Sequence, residues 1–274
     1  MSPAVSLFVS LSLLGAEPST KPQQKLRVVC LGGVLTEIAF ALGAGDLVVG
    51  VDKSSLYPEA ASALPQVGYF RAFSAEGVLS LEPDLVLLLD GAGPSAAVEV
   101  LGQAGVRLAT LPETVDVQGA KARILAVGQV LGRGEAARAQ VAAMEAALAG
   151  LTRPKPSPKV LFIYARGGGT LNVSGRGTAA DAMLRLVGAT NAVTELEGFK
   201  PLTAEAVIGA APDVILMTDH GLAAVGGAQG LLKLPGIALT PAGQAQRVVA
   251  LPDLLLLGFG PRLGEAAQRL AEAL

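Results

Sequence analysis

Tyr69 and Arg71, within Val67-Gly68-Tyr69-Phe70-Arg71, form the pair in this chain with the most distinctive chemistry. A free phenol titrates near ~10, and a guanidinium two residues away favours its phenolate. Phenolate oxygen is a hard donor suited to ferric iron, and tyrosine ligates iron in proteins. The alternative reading is a tyrosine that only anchors a Gly-flanked loop by packing. His220 is the single histidine, in Thr218-Asp219-His220-Gly221-Leu222 after an apolar run. One histidine cannot build a multi-histidine zinc site. An Asp219–His220 pair would need a nucleophile, and no Gly-x-Ser-x-Gly elbow supplies one, so a hydrolase is the weaker reading. A loop at the carboxyl end of a strand can instead face a ligand.

Three arginines join these candidates. Gly167-Gly168-Gly169-Thr170 and Ser174-Gly175-Arg176-Gly177-Thr178 make a glycine-rich stretch. It lacks the Gly-Lys-Ser/Thr ending of a phosphate loop and the Gly-x-Gly-x-x-Gly spacing of a dinucleotide site. Its backbone amides and a helix start near Thr178 suit a carboxylate, with Arg166 and Arg176 as partners. Arg262, in Leu257-Gly258-Phe259-Gly260-Pro261-Arg262, sits in a loop entering the last helix and is a further candidate for a cleft.

Two acids occur in matching surroundings. Ser74-Ala75-Glu76-Gly77-Val78-Leu79 leads to Pro83-Asp84 and an apolar strand, and Thr203-Ala204-Glu205-Ala206-Val207-Ile208 leads to Pro212-Asp213 and another. The second copy lies 129 residues after the first, whereas the weaker echo of Gly43 at Gly188 lies 145 away. The first half therefore holds an unduplicated insert, about 16 residues by numbering, between Gly43 and Ser74, and Tyr69 lies in it. Ser74 and Thr203 are helix caps. A carboxylate in the first turn of a helix contributes about 0.3–1 kcal/mol through the helix dipole, which by itself accounts for Glu76 and Glu205. The other reading is a pair of matching anionic knobs on two lobes, able to dock on a two-fold symmetric basic partner.

The elements that position these residues are βα units. Short apolar runs alternate with helical patterns, which predicts an α/β fold with mainly parallel sheets. Strands are expected at 26–31, 47–51, 85–89 and 107–110 in the first half, and at 159–164, 214–218 and 247–251 in the second. The interval from Pro112 to Pro154 has no proline and is rich in Ala, Leu, Arg and Glu, strong helix formers. It predicts a long linking helix that Gly132-Arg133-Gly134 can kink or break. The resulting architecture is two Rossmann-like lobes, an N-terminal one over 25–113 and a C-terminal one over 159–274. A linking α-helix over 114–153 joins them, with a ligand cleft between.

The chain of 274 residues carries 16% charged residues, below the ~25% of typical domains, and a net charge of −2. That gives no basic field for nucleic acid. The lone Cys30 lies in an expected buried strand and is read as packing. Val5 to Leu14 is an apolar run of signal-peptide length, followed by Gly15-Ala16 and a polar stretch. It is too short to span a bilayer. A signal peptide over 1–16, cleaved near Ala16, and a soluble exported monomer without stable membrane insertion are expected.

These residues together resemble the periplasmic haem-binding proteins of the class III (long-helix) substrate-binding family that serves ABC importers. The resemblance runs from about Leu26 to Leu274. It is carried by Val67–Arg71 with Ser74–Gly77, Gly175–Asp181, Gly226–Leu232, Leu234–Gly236, Thr240–Gly243 and Leu256–Arg262. It implies a binding protein, not an enzyme, that carries haem as its ligand to an ABC transporter permease dimer from the periplasm. It further implies Tyr69 as the axial ligand of ferric haem and Arg71 as the support of its phenolate. Glu76 and Glu205 would contact arginines of the two permease subunits. Where some family members offer a second iron donor, around Tyr164–Gly169, this chain has Arg166 and no histidine, so His220 is the alternative. A cobalamin or ferric-siderophore carrier is the related possibility. The absence of tryptophan and an aromatic content of 4% argue mildly against both.

Overall fold

The computed structural model describes residues 25–165 and 171–274. The expected signal peptide and Arg166 lie outside the described residues. The first lobe contains β1 (Val28–Leu31), β2 (Val48–Val51), β3 (Gly68–Tyr69), β4 (Ala72–Phe73), β5 (Leu85–Leu89) and β6 (Arg107–Leu111). Four of these form a parallel sheet in the order β2-β1-β5-β6, and β3 and β4 form a separate antiparallel pair. β1 and β5 are buried at every position, as continuous apolar runs covered on both faces must be. Cys30 lies within β1, and burial pushes its thiol up to about 12, so it is an inert packing group.

The second lobe contains β7 (Lys159–Tyr164), β8 (Asn172–Ser174), β9 (Thr190–Asn191), β10 (Phe199–Pro201), β11 (Val214–Thr218) and β12 (Val248–Leu251). Its sheet runs β10-β8-β7-β11-β12, with β9 also on β7. β7, β9, β11 and β12 are parallel, and β8 and β10 extend the sheet antiparallel. Side chains alternate across this sheet with the period of two that strands impose. Val160, Phe162, Val214 and Leu216 enter a core continuous with the first lobe, while Leu161, Ile163, Ile215 and Met217 form a second cluster on the opposite face.

The interval between the sheets forms two helices, Val117–Val130 and Gly134–Ala149. Gly132 stands at φ +67°, the left-handed conformation that ends helices and favours glycine. The helices pack closely where Gly128 meets Ala137, a contact that a side chain on Gly128 would block. Lys121 and Glu145 form an ion pair across them. Both helices contribute to the core shared by the lobes, so lobe and linker are one packed body. Among the described residues no helix is long and apolar enough to cross a membrane.

Candidate functional site

A cavity of about 390 Å³ opens between the lobes, within the size range of small-molecule sites. Lys53, Leu56, Tyr69 and Phe70 line it from the first lobe, and Tyr164, Phe199, Leu254 and Leu257 from the second. The second-lobe wall is aromatic: the rings of Tyr164 and Phe199 lie 5.4 Å apart, tilted by 44°. Phe199 and Leu56 are both more than 40% exposed, so two large apolar side chains on this cavity are accessible to a ligand.

Tyr69 ends β3, a strand of two residues. So short a strand draws little stability from its own ladder, and neighbouring loops hold it. Gly68 accepts from the Lys53 N–H at 2.8 Å, Phe70 accepts from the Gly93 N–H at 2.9 Å, and Phe73 donates to Gly93 at 3.1 Å. Gly68 has φ +110°, and an added Cβ would stand 2.9 Å from the Ala72 carbonyl oxygen; glycine alone fits. The half-buried Tyr69 ring meets the buried Phe70 edge-on, centroids 4.8 Å apart.

Arg71 does not stand alone. Its guanidinium pairs with Glu113 at 2.5 Å and lies over the Phe70 ring, 4.7 Å from the centroid. Glu113 lines the cavity and follows β6. Glu113, 42 residues on, is thus an ion-pair partner of Arg71.

Arg123 forms the floor. It is 1% exposed, yet it makes no ion pair among the described residues. Its Nη1 donates to the carbonyls of Pro112 at 2.8 Å and Thr114 at 3.3 Å, and its Nη2 to those of Phe259 at 2.8 Å and Gly258 at 3.4 Å. The first two acceptors lead out of the first sheet, and the last two belong to the second lobe. Burial pushes its pKa down, while the charges of Glu113 and Asp116 hold it up. One buried side chain thus joins the lobes beneath the cleft. Arg123→Met keeps the apolar stem but strands four carbonyls, against which stands the cost of burying the charge. We expect a net loss of about 2 kcal/mol in urea unfolding; a midpoint within error of the parent would show the bonds to be dispensable.

Arg262 is committed elsewhere. Its Nε and Nη2 donate to the two oxygens of Glu37, each at 3.0 Å, and its guanidinium lies 3.5 Å from the centroid of the Tyr57 ring. Glu37, on the helix Gly33–Ala41, is buried; burial pushes its carboxyl up, against the hydrogen bonds and charge of Arg262. Gln140 also donates to Pro261 at 3.1 Å. The segment 258–262 is therefore the seam between the lobes, and Arg262 is not among the cavity-lining residues.

His220 was expected in a loop and opens the helix Asp219–Ala224 instead. Its Nδ1 lies 2.9 Å from Asp253 Oδ2, not paired with the adjacent Asp219, and its side chain is 73% exposed. Asp253 lines the cavity, so His220 stands at its edge, one residue removed. Arg176 is exposed, its backbone bound to Leu196 and Gly198, and it is not among the lining residues.

Glu76 and Glu205 are both exposed in the first turns of the helices Ala75–Leu79 and Ala204–Ala210. The caps match. Ser74 accepts from the Gly77 N–H at 3.1 Å and Thr203 from the Ala206 N–H at 3.2 Å. Neither carboxylate makes a hydrogen bond or ion pair among the described residues.

Sequence reasoning missed Lys53, Glu113, Arg123 and the Tyr164–Phe199 wall. For Arg123 a signal existed: Ala120, Arg123, Ile124 and Val127 share one helical stripe, and the three others are apolar. For Glu113 and Phe199, which meet the cleft only through tertiary placement, there was none.

A family model described as periplasmic binding protein matches residues 28–255. An uncharacterized ABC transporter substrate-binding lipoprotein, YvrC, of Bacillus subtilis is 30% identical over 207 residues, covering 73% of this chain and 66% of its own length. A vitamin B12-binding protein of Vibrio vulnificus is 38% identical over 82 residues, 30% of each chain. This chain thus spans just under two thirds of the first curated relative and less than a third of the second. Among solved structures, the periplasmic heme-binding protein RhuT of Roseiflexus sp. RS-1, in apo form, is 45% identical with a TM-score of 0.88, covering 91% of this chain and 97% of its own. The periplasmic heme-binding protein BhuT, in complex with two hemes, is 46% identical with a TM-score of 0.85, covering 90% and 97%.

Proposed function

The chain belongs to the periplasmic binding protein family, and from that premise we propose that it carries haem in the cleft between its lobes. As a member of that family it is a ligand-binding protein, not an enzyme. The observation that carries the haem reading is Tyr69 on the wall of an interlobe cavity lined mainly by aromatic and aliphatic side chains. A flat apolar macrocycle suits Tyr164, Phe199, Leu254 and Leu257, and its ferric iron suits a phenolate oxygen. Lys53, exposed on the same cavity, suits a ligand carboxylate. The likeness to RhuT and BhuT, each about 45% identical over nine tenths of the chain, supports this ligand.

In this reading Tyr69 holds the iron and Phe70 packs beside it. The Arg71–Glu113 pair lends its field to the phenolate rather than a bare cation. His220 and Asp253 stand at the rim. The lobes correspond to 25–113 and 159–274, with 114–153 between them. The protein is exported to the periplasm through a leader over 1–16, works as a soluble monomer, and delivers haem to the permease of an ABC importer through Glu76 and Glu205. The vitamin B12-binding relative makes cobalamin the rival ligand.

Parallel absorbance titrations with hemin and cyanocobalamin test the choice. We expect saturable hemin binding with a ferric-tyrosinate charge-transfer band and no binding of cyanocobalamin at equal concentrations. Cyanocobalamin binding without a hemin response would replace the reading.

A further inference from the structure

Asp52 follows β2 and is completely buried. Its Oδ1 accepts from the Gly32 N–H and from the Ser55 hydroxyl, each at 3.1 Å. Its Oδ2 accepts from the backbone N–H groups of Ser54 at 3.0 Å and Phe70 at 3.1 Å. The Ser54 hydroxyl lies 2.9 Å from one oxygen and 2.8 Å from the other, and itself accepts from the Gly33 N–H at 2.8 Å. Ser55 is fixed in turn by Thr36 at 2.7 Å.

These donors come from three separate pieces of the first lobe. Gly32 and Gly33 begin the helix Gly33–Ala41, Ser54 and Ser55 turn away from β2, and Phe70 lies in the turn between β3 and β4. Every donor is neutral. A carboxylate accepts on both oxygens, and bonds to an ionised acceptor are stronger than neutral ones. An amide in the same place would set an NH₂ against a backbone N–H. Among these links, the one to Phe70 reaches the residue directly after Tyr69, and the one to Ser54 reaches another residue of the cavity wall.

We propose that Asp52 is the positioning residue for Tyr69. Through the Phe70 amide it fixes where the phenol oxygen stands in the cleft, and through Ser54 it fixes the adjoining wall. It touches no ligand itself. The inference rests on the reading of Tyr69 as the iron donor, and the experiment separates the two.

Hemin titrations of the full chain, followed by absorbance and electron paramagnetic resonance, compare the parent with Asp52→Asn and Ser55→Ala. Circular dichroism and thermal melting report folding. Folded Asp52→Asn is expected to bind hemin about tenfold more weakly, with its tyrosinate band displaced and its high-spin ferric signal broadened into several species. Ser55→Ala, which removes one donor and keeps the carboxylate, is expected to show the same change at smaller size. An unchanged band and affinity in folded Asp52→Asn would overturn the proposal. So would a lower melting temperature with the band untouched, the result of a merely structural role. If Asp52→Asn does not fold, Ser55→Ala decides on the same band, and an unaltered spectrum there overturns the proposal. A parent protein without a tyrosinate band would fail the iron-donor reading before any Asp52 variant is compared, and the positioning role with it.

Discussion

Tyr69→Ala is expected to lose the ferric-tyrosinate band and to bind hemin about 100-fold more weakly, a cost of ~2.7 kcal/mol. The size follows from what the side chain combines. Its oxygen is the donor to iron in the proposed complex, and its ring meets Phe70 edge-on at 4.8 Å on the cavity wall. Central residues that join an aromatic surface to a specific polar bond dominate binding energies. Tyr69→Phe divides the two contributions. It keeps the ring and Phe70 contact but removes the oxygen, so the band should vanish while part of the apolar affinity remains. Retention of the band in either variant would move the iron donor elsewhere, with Tyr164, across the cleft, the next residue to replace. Gly68, Asp52 and Gly93 also tie the hairpin that holds Tyr69, and thermal melting of both variants separates loss of the iron donor from loss of fold.

The parts of this molecule legible in its sequence are those governed by local pattern. β7 and β11 match the expected runs at both ends, because four or five consecutive apolar residues between turn signals have few alternatives. The helix Ala204–Ala210 begins directly after Thr203, the expected cap. β3 and β4 were not legible. Two residues carry no periodicity, and their geometry comes from Asp52 and Gly93, which lie about 20 residues away on either side.

The site divides along the same line. Tyr69 stood out by residue type and by its place in an unduplicated insert, and it does line the cleft. The arginines were harder, because a guanidinium's role depends on its partner. Arg262 goes to Glu37, 225 residues away, and Arg71 to Glu113, 42 away. Arg123 reads as an ordinary helix former until its stripe is drawn. His220 similarly bypasses its neighbour Asp219 for Asp253. Sequence proximity alone does not place Glu113 beside Arg71 or Asp253 beside His220.

Reversing both Glu76 and Glu205 to lysine is expected to reduce haem uptake through the importer at least about tenfold while leaving hemin affinity within about twofold of the parent. The two acids share one local design: an exposed carboxylate at the second position of a short helix, capped by a hydroxyl, with no partner among the described residues. Helix electrostatics explains why an acid is tolerated there, but it would be satisfied by either acid separately and predicts no link to transport. A two-fold permease offering two basic sites does predict one, because both contacts must form together. Each single reversal should then already cost most of what the double costs, so the two losses should combine less than additively in transport. Neither acid lines the cleft, so the hemin titration is the internal control. Loss of hemin binding in the double variant, or normal transport with it, would return both residues to helix-start stabilisation alone. Restoring transport with acidic residues at the matching permease positions would identify the contact as ionic, since charge exchange rescues a direct pair and leaves a folding defect unchanged.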